Sequence, residues 1–365
     1  MLKSITLENY KSFGKRQTVP FEAITVVVGP NNSGKSNLLR LPIFLRDVMT
    51  SNGLSVIEKH GGVRSLFHRP DFASGDLKID LVLSGGSYES VTRRASGLPS
   101  RNVSERFLDA DGSILREAVA TDDSQEFSPF GLLSLSGSGI LDASLVRAGL
   151  ATLRSASFVK LDLDALRLDS PVVPQPTLGE DGSGLAAVLG LWRGADPDRG
   201  AALDAFLSSC IPEIKSVLVR PSPDHGKQRL LVKQVDGEEF EPSELSDGVL
   251  VFIALAMHVI AAGDDALVLI EEPEHGIHPR RLGQLVDLLR RAHHERGCQF
   301  VIATHSPALL DHFRDEPEAI VMLRRGENGT EVRQFSEVPT LVEALRQHDA
   351  GPGEMLVNGF FNEPY

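Results

Sequence analysis

The segment Gly29-Pro30-Asn31-Asn32-Ser33-Gly34-Lys35-Ser36 has the G-x-x-x-x-G-K-S spacing of a loop that holds phosphate. Its glycines let successive backbone N–H groups converge on one anion, and the helix that follows points its N-terminus at the same place. Lys35 is expected to reach the β and γ oxygens. The Ser36 hydroxyl is a hard oxygen ligand suited to Mg2+. A second set lies in Leu267-Val268-Leu269-Ile270-Glu271-Glu272-Pro273-Glu274. Carboxylates at the C-terminal end of a buried strand stand where an open α/β sheet takes its ligands. Glu271 is expected to hold Mg2+ and Glu272 to orient or deprotonate an attacking water. Alone, an acidic loop after a strand is an equally good reading; the phosphate loop in the same chain tips the balance to chemistry.

Two shorter motifs carry less on their own. Leu245-Ser246-Asp247-Gly248 opens an apolar helix, with Ser246 a good N-cap and Gly248 permitting close approach. Ordinary capping is the better reading of an isolated Ser-Asp-Gly. The functional reading is a second anion site that grips the γ-phosphate held by another subunit. Thr304-His305-Ser306-Pro307 follows a buried run, and a lone strand-end histidine is more often structural than catalytic.

The elements that must position these groups follow from the apolar pattern. Residues 2–8 and 17–29 read as strands, the second ending in the β-branched run Ile24–Val28. A helix is expected from about Lys35 to Met49, kinked at Pro42. Residues 75–95 alternate like a strand. From about 95 to 155 the chain is rich in Ser, Gly and Asp and shows no clear period. Residues 156–170 read as a strand leading into a loop, 184–210 as helical and 213–235 as two strands. Asp236-Gly237 marks a hairpin turn. Ser246–Ala262 reads as a helix buried on nearly all sides, Ala266–Ile270 as a buried strand, and Pro279 to Gly297 as a capped amphipathic helix. Phe300–Ala303 is a further buried strand. Strands alternating with helices at both ends predict an α/β core with an intervening insertion.

Composition narrows the partners. The 365 residues hold 37 Lys+Arg against 50 Asp+Glu, a net charge of −13, so the average field repels nucleic acid and any such contact needs a local basic patch. Arg280, Arg281, Arg290, Arg291 and Arg296 make one helix basic, read first as a solvated face; Arg93, Arg94 and Arg101 form a weaker cluster. Two cysteines, Cys210 and Cys298, make neither a disulfide framework nor a four-ligand zinc site. The start of the chain lacks a signal-peptide apolar block, and the longest apolar stretch, Val249–Ala262, is too short to span a bilayer. A cytoplasmic protein without a membrane partner is expected. There is no heptad run, so long coiled-coil arms are not expected. Trp192 reads as core, and the tail Phe360–Tyr365 as an aromatic segment that packs on the domain or docks a partner.

Taken in order, the phosphate loop, Leu245–Gly248, Glu271-Glu272 and His305 resemble the Walker A, signature, Walker B and switch-histidine positions of an ABC-type ATPase head. The opening Glu8-Asn9-Tyr10-Lys11-Ser12-Phe13, the run Asn31–Asn37, and Glu271 to Pro279 resemble the SMC/RecF-like branch, most closely compact ATPases related to the OLD family. The likeness covers roughly residues 1–50 and 230–310. It implies an α/β P-loop NTPase fold with a mixed sheet, an antiparallel β subdomain and an inserted helical or lid region. The whole would form one composite domain over 1–365, with an N-terminal lobe at 1–95, the insertion at 96–229 and a C-terminal lobe at 230–365.

The resemblance further implies that Lys11 approaches the phosphates together with Asn31, Asn32, Ser33, Gly34, Lys35, Ser36 and Asn37. It implies that His305 joins Glu272 as a catalytic residue, and that Ser246 and Gly248 complete the site of the opposite protomer. Residues 274–278 would couple the two sites. Glu271 stands where transporters usually carry Asp, and Gln125 and Gln175 are the candidates for a Q-loop glutamine. A TOPRIM nuclease is not expected within residues 308–365. The function expected is an ATPase that dimerises head to tail around Mg-ATP and switches a separately encoded effector such as a nuclease, in phage defence or DNA maintenance and repair. The alternative is a nucleotide-gated clamp on DNA, RNA or protein in which hydrolysis only resets the bound state. A transporter subunit is a third, weaker reading.

Overall fold

The computed structural model describes residues 1–51, 53–68, 75–93, 101–119, 130, 133, 150–347 and 351–362. The chain divides into two compact units. The first comprises Met1–Ala156, Asp265–Leu267 and Gln299–Tyr365; the second comprises Ser157–Asp264 and Val268–Cys298. The division between them falls at Ala156 and Ser157.

In the first unit, β1 (Leu2–Glu8), β2 (Gln17–Pro20), β4 (Leu77–Leu83), β5 (Gly86–Arg93), β6 (Arg101–Leu108) and β7 (Ile114–Val119) form an antiparallel sheet in the order β2-β1-β4-β5-β6-β7. β4 buries Leu77, Ile79, Leu81 and Leu83 on one face, as its alternation predicts. The stretch read as one strand over 17–29 is two. Between Pro20 and Ile24 the chain turns, and Glu22 N–H donates to Thr25 Oγ1 at 2.9 Å. The second piece, β3 (Ile24–Val28), is buried at every residue and lies between two parallel partners, β14 (Gln299–Thr304) and β15 (Ile320–Gly326), with β16 (Gly329–Gln334) antiparallel outside β15. Burial on both faces explains its unbroken β-branched sequence. The helix Lys35–Thr50 follows and continues unbroken through Pro42.

In the second unit, β8 (Ser157–Val159) pairs in parallel with β13 (Leu267–Glu271). A separate antiparallel sheet joins β10 (Ile214–Pro221), β11 (Lys227–Gln234) and β12 (Glu239–Phe240), with the short β9 (Ser170–Pro171) on β11. The region read as helical over 184–210 is two helices, Leu185–Ala195 and Pro197–Cys210, and Trp192 is buried as expected. Helix Asp247–Ala261 is buried from Leu250 to Ile260. Helix Pro279–Arg296 starts at a proline and ends at Gly297 in the left-handed conformation, φ 68°. No helix among the described residues is long and apolar enough to cross a membrane.

Candidate functional site

The phosphate loop occupies the turn from β3 into helix Lys35–Thr50 in the first unit. Gly29, Asn32 and Gly34 all have positive φ, at 154°, 65° and 108°. A Cβ on Gly29 would stand 2.0 Å from the carbonyl oxygen of Leu323, and one on Gly34 would stand 2.5 Å from Thr330 Oγ1, so both positions require glycine. The helix carries no side-chain cap and no acidic residue in its first turn, which leaves its N-terminus suited to an anion. Lys35 is buried, and its Nζ donates to the carbonyls of Gly29 at 2.8 Å and Pro30 at 3.1 Å. Its ammonium is thus held inside the arc of the loop. Asn31, Asn32 and Ser36 are exposed, while Ser33 is buried and its carbonyl accepts from Thr330 Oγ1 at 2.8 Å.

Lys11 and Asn37 join the loop through Ser12. Asn37 Nδ2 donates to Ser12 Oγ at 3.0 Å, and the backbone of Lys11, at φ 46°, aims the turn. His68 Nδ1 donates to the Lys11 carbonyl at 2.6 Å. Burial, and secondarily the charge of Arg40, hold the Lys11 ammonium below its ordinary pKa. These groups border a cavity of about 700 Å³ that runs from Lys11, Ser12, Asn32 and Asn37 to the turn between β15 and β16 at Arg325 and Glu327. Thr304 pairs with Val28 across β14 and β3, so His305 and Gly29 leave the sheet at the same end.

In the second unit, Glu271 is buried at the end of β13 and Glu272 follows with φ 52°. A non-glycine residue in that conformation is uncommon and marks a constrained turn. Glu272 Oε2 lies 3.5 Å from Nε2 of the exposed His275. Lys160 Nζ lies 3.4 Å from Glu271 Oε1. The register Val159–Ile270 carries both residues off the same end of the parallel pair.

Ser246 caps helix Asp247–Ala261, its hydroxyl accepting from Val249 N–H at 3.4 Å. Leu245 precedes it, half-buried. Asp247 pairs with Arg167 at 2.5 Å, and Gly248 packs against the backbone of Gly276. The signature-like residues and the loop 274–278 are therefore one packed cluster.

Sequence reasoning missed Lys160, Arg167, His68 and Thr330. Each is a single residue far along the chain from its partner, so no spacing announces it. Of the Q-loop candidates, Gln175 is exposed in a loop after β9, and Gln125 lies outside the described residues. The basic groupings have structural partners in part. Arg296 donates to the carbonyls of Val259, Ile260 and Ala262 at the end of the buried helix, and Arg93 pairs with Asp76. Arg94 and the Arg101 side chain lie outside the described residues. In the tail, Phe361 is buried against Phe335, ring centroids 5.8 Å apart, while Phe360 is half exposed; residues 363–365 lie outside the described residues.

The donor chemistry suits Mg2+: an alcohol oxygen on Ser36 and a carboxylate on Glu271 are hard ligands of the kind that ion prefers. Among the described residues no cluster of three or more His, Cys, Asp or Glu is placed to hold a metal by protein ligands alone.

Residues 1–81 match a family model described as "AAA ATPase domain", and residues 204–311 match one described as "AAA domain, putative AbiEii toxin, Type IV TA system". The chain is 35% identical over 99 residues to the chromosome partition protein Smc of Gloeobacter violaceus, which is 26% of this chain and 8% of that protein. The chain thus spans under a tenth of that relative. Among solved structures, an Smc head bound to the C-terminal winged-helix domain of ScpA aligns with a TM-score of 0.54 at 15% identity, over 91% of this chain and 97% of that one. An Smc head with an extended coiled coil bound to the C-terminal domain of ScpA, derived from Pyrococcus furiosus, aligns with a TM-score of 0.53 at 13% identity, over 95% and 99%. Phosphate loop, carboxylate pair and capped helix are carried on an ATPase fold similar to that of these Smc heads.

Proposed function

We propose that this chain binds Mg-ATP on Gly29–Ser36 and hydrolyses it, two copies closing head to tail around the nucleotide. The observation that carries the reading is the loop itself: three positive-φ residues, an uncapped helix N-terminus and a buried lysine folded back on the loop carbonyls. The match of residues 1–81 to a model described as an ATPase domain, and of residues 204–311 to one described as an AAA domain, supports it.

Lys35 exchanges its two carbonyl partners for phosphate oxygens. Lys11 and Asn37 border the same cavity and steer the nucleotide. Ser36 and Glu271 would hold Mg2+, which would supply positive charge to offset that of the phosphates. Glu272 takes a proton from the attacking water, with His305 as its partner at the γ-phosphate. Ser246–Gly248 of a second copy covers the γ-phosphate through a helix N-terminus. A separately encoded effector, for example a nuclease, reads the closed state. DNA maintenance is the setting favoured by analogy with the Smc relatives, and phage defence or repair by the resemblance to OLD-related ATPases.

The test is turnover with and without DNA for the wild type and Glu272→Gln, alongside light scattering with Mg-ATP. ATP binding should survive in Glu272→Gln while turnover falls by about 10² or more. Wild-type turnover in that variant would remove Glu272 from the role of base. No turnover in the wild type with or without DNA, together with tight ATP binding, would favour a clamp.

A further inference from the structure

Glu271 and Lys160 form an ion pair whose two ends differ in a telling way. The Glu271 side chain is 8% exposed, the Lys160 side chain 53%. A carboxylate that dry pays a large desolvation cost unless a cation stands beside it. The cation supplied here sits on a flexible, strongly hydrated stem that can swing into water at little cost. The backbone beneath it is fixed. Val159 pairs with Ile270, Lys160 N–H donates to Glu180 O at 2.8 Å, and Asp162 N–H donates to Asp181 O at 2.9 Å. The strand end is therefore anchored while the ammonium is not.

We infer that Lys160 is an internal stand-in for the divalent cation: it neutralises Glu271 while the nucleotide site is empty and is displaced from the carboxylate when Mg-ATP arrives. This rests on the ATPase reading above, since that reading makes Glu271 a metal ligand. An ammonium and a doubly charged ion cannot share one carboxylate oxygen without strong repulsion. Metal binding is therefore an exchange of cations, and its affinity is lowered by the pair that must break. The arrangement also keeps the Glu271 carboxylate aimed before the metal comes. Lys160 is a positioning residue that acts through Glu271.

The experiment compares wild type, Lys160→Met and Lys160→Arg. Free Mn2+ is followed by electron paramagnetic resonance during titration in the presence of a non-hydrolysable ATP analogue, and thermal unfolding is recorded with and without the Mg-bound analogue. In Lys160→Met the nucleotide-free protein should melt a few degrees lower, and the deficit should vanish with the Mg-bound analogue. Its Mn2+ affinity should rise about threefold or more, the pair being half exposed and its worth correspondingly modest. Lys160→Arg should restore the melting point and bind Mn2+ no more tightly than wild type. A role confined to supporting the fold would weaken the metal site on truncation, so lower or unchanged Mn2+ affinity in Lys160→Met overturns the proposal and leaves the ATPase reading standing. Wild-type protein that takes up no analogue overturns both.

Discussion

Gly248, at the start of the buried helix, stands directly against Gly276: a Cβ at 248 would lie 2.3 Å from the Gly276 carbonyl oxygen. No side chain fits there unless the loop 274–278 moves. In helical conformation alanine would otherwise gain about 1 kcal/mol over glycine. Gly248→Ala should instead lose about 1–3 kcal/mol through overpacking against backbone. Gly194→Ala is the control, because nothing lies within 4 Å of its Cβ position, and it should gain about 0.5–1 kcal/mol. Chemical denaturation of both variants decides. Equal stabilisation would show that the contact yields freely.

Lys35→Ala removes the ammonium held by the carbonyls of Gly29 and Pro30. Charge-assisted hydrogen bonds of this kind are worth about 1.5–3 kcal/mol each. ATP affinity measured by calorimetry should fall roughly tenfold or more, with the circular dichroism spectrum unchanged. Wild-type affinity would contradict the phosphate-loop assignment.

Ser246→Arg tests assembly. Ser246 is exposed and caps its helix through one long hydrogen bond, so its replacement costs the fold about 1 kcal/mol. A long side chain at that N-terminus would fill the space meant for a γ-phosphate from a second copy. ATP binding should persist while ATP-dependent dimerisation and turnover are lost. Cysteines introduced near Ser246 and Ser33 should cross-link between chains only in wild-type background with Mg-ATP. Dimerisation of Ser246→Arg at wild-type levels would leave Ser246 as a cap and nothing more.

Buried His258 gives the fold an acid sensitivity. Burial pushes its pKa down to about 4, with Asp181 opposing weakly. A histidine whose folded pKa is depressed binds its proton in the unfolded chain first. Stability is thus intact above the unfolded value near 6.5 and is lost as pH falls from there toward about 4, by about 3 kcal/mol in all. Denaturant midpoints of wild type and His258→Phe should diverge below about pH 6.5, the wild type losing stability and the variant keeping it. Parallel profiles would place the acid sensitivity elsewhere.

Much of the site was legible because its residues are contiguous. The loop Gly29–Ser36 declares both its turn and its flanking strand, and Pro279 and Gly297 bracket their helix. The β-branched run Ile24–Val28 was legible for the same reason, since a strand buried on both faces needs no alternation. The break before it was not, because Phe21 is buried like a strand residue while the backbone turns at Glu22. β7 escaped notice because Ile114, Leu115 and Val119 are all exposed, so apolar character there does not report an inward face. Lys160 and Arg167 were invisible in principle. A lone cation reads as surface until the fold puts a carboxylate beside it.

The pairing of β3 has a consequence for how the chain is made. Both strands that flank Ile24–Val28 come from beyond residue 298. At ribosomal speeds of about 5–20 residues per second, tens of seconds separate the emergence of this apolar strand from the emergence of its neighbours. Gln299 closes the gap when it arrives, donating to the carbonyls of Leu2 and Glu22 and accepting from Leu2 N–H. Through that interval the nascent polypeptide carries an unsatisfied strand next to a loop suited to anions, and its completion is governed by translation of residues 299–326.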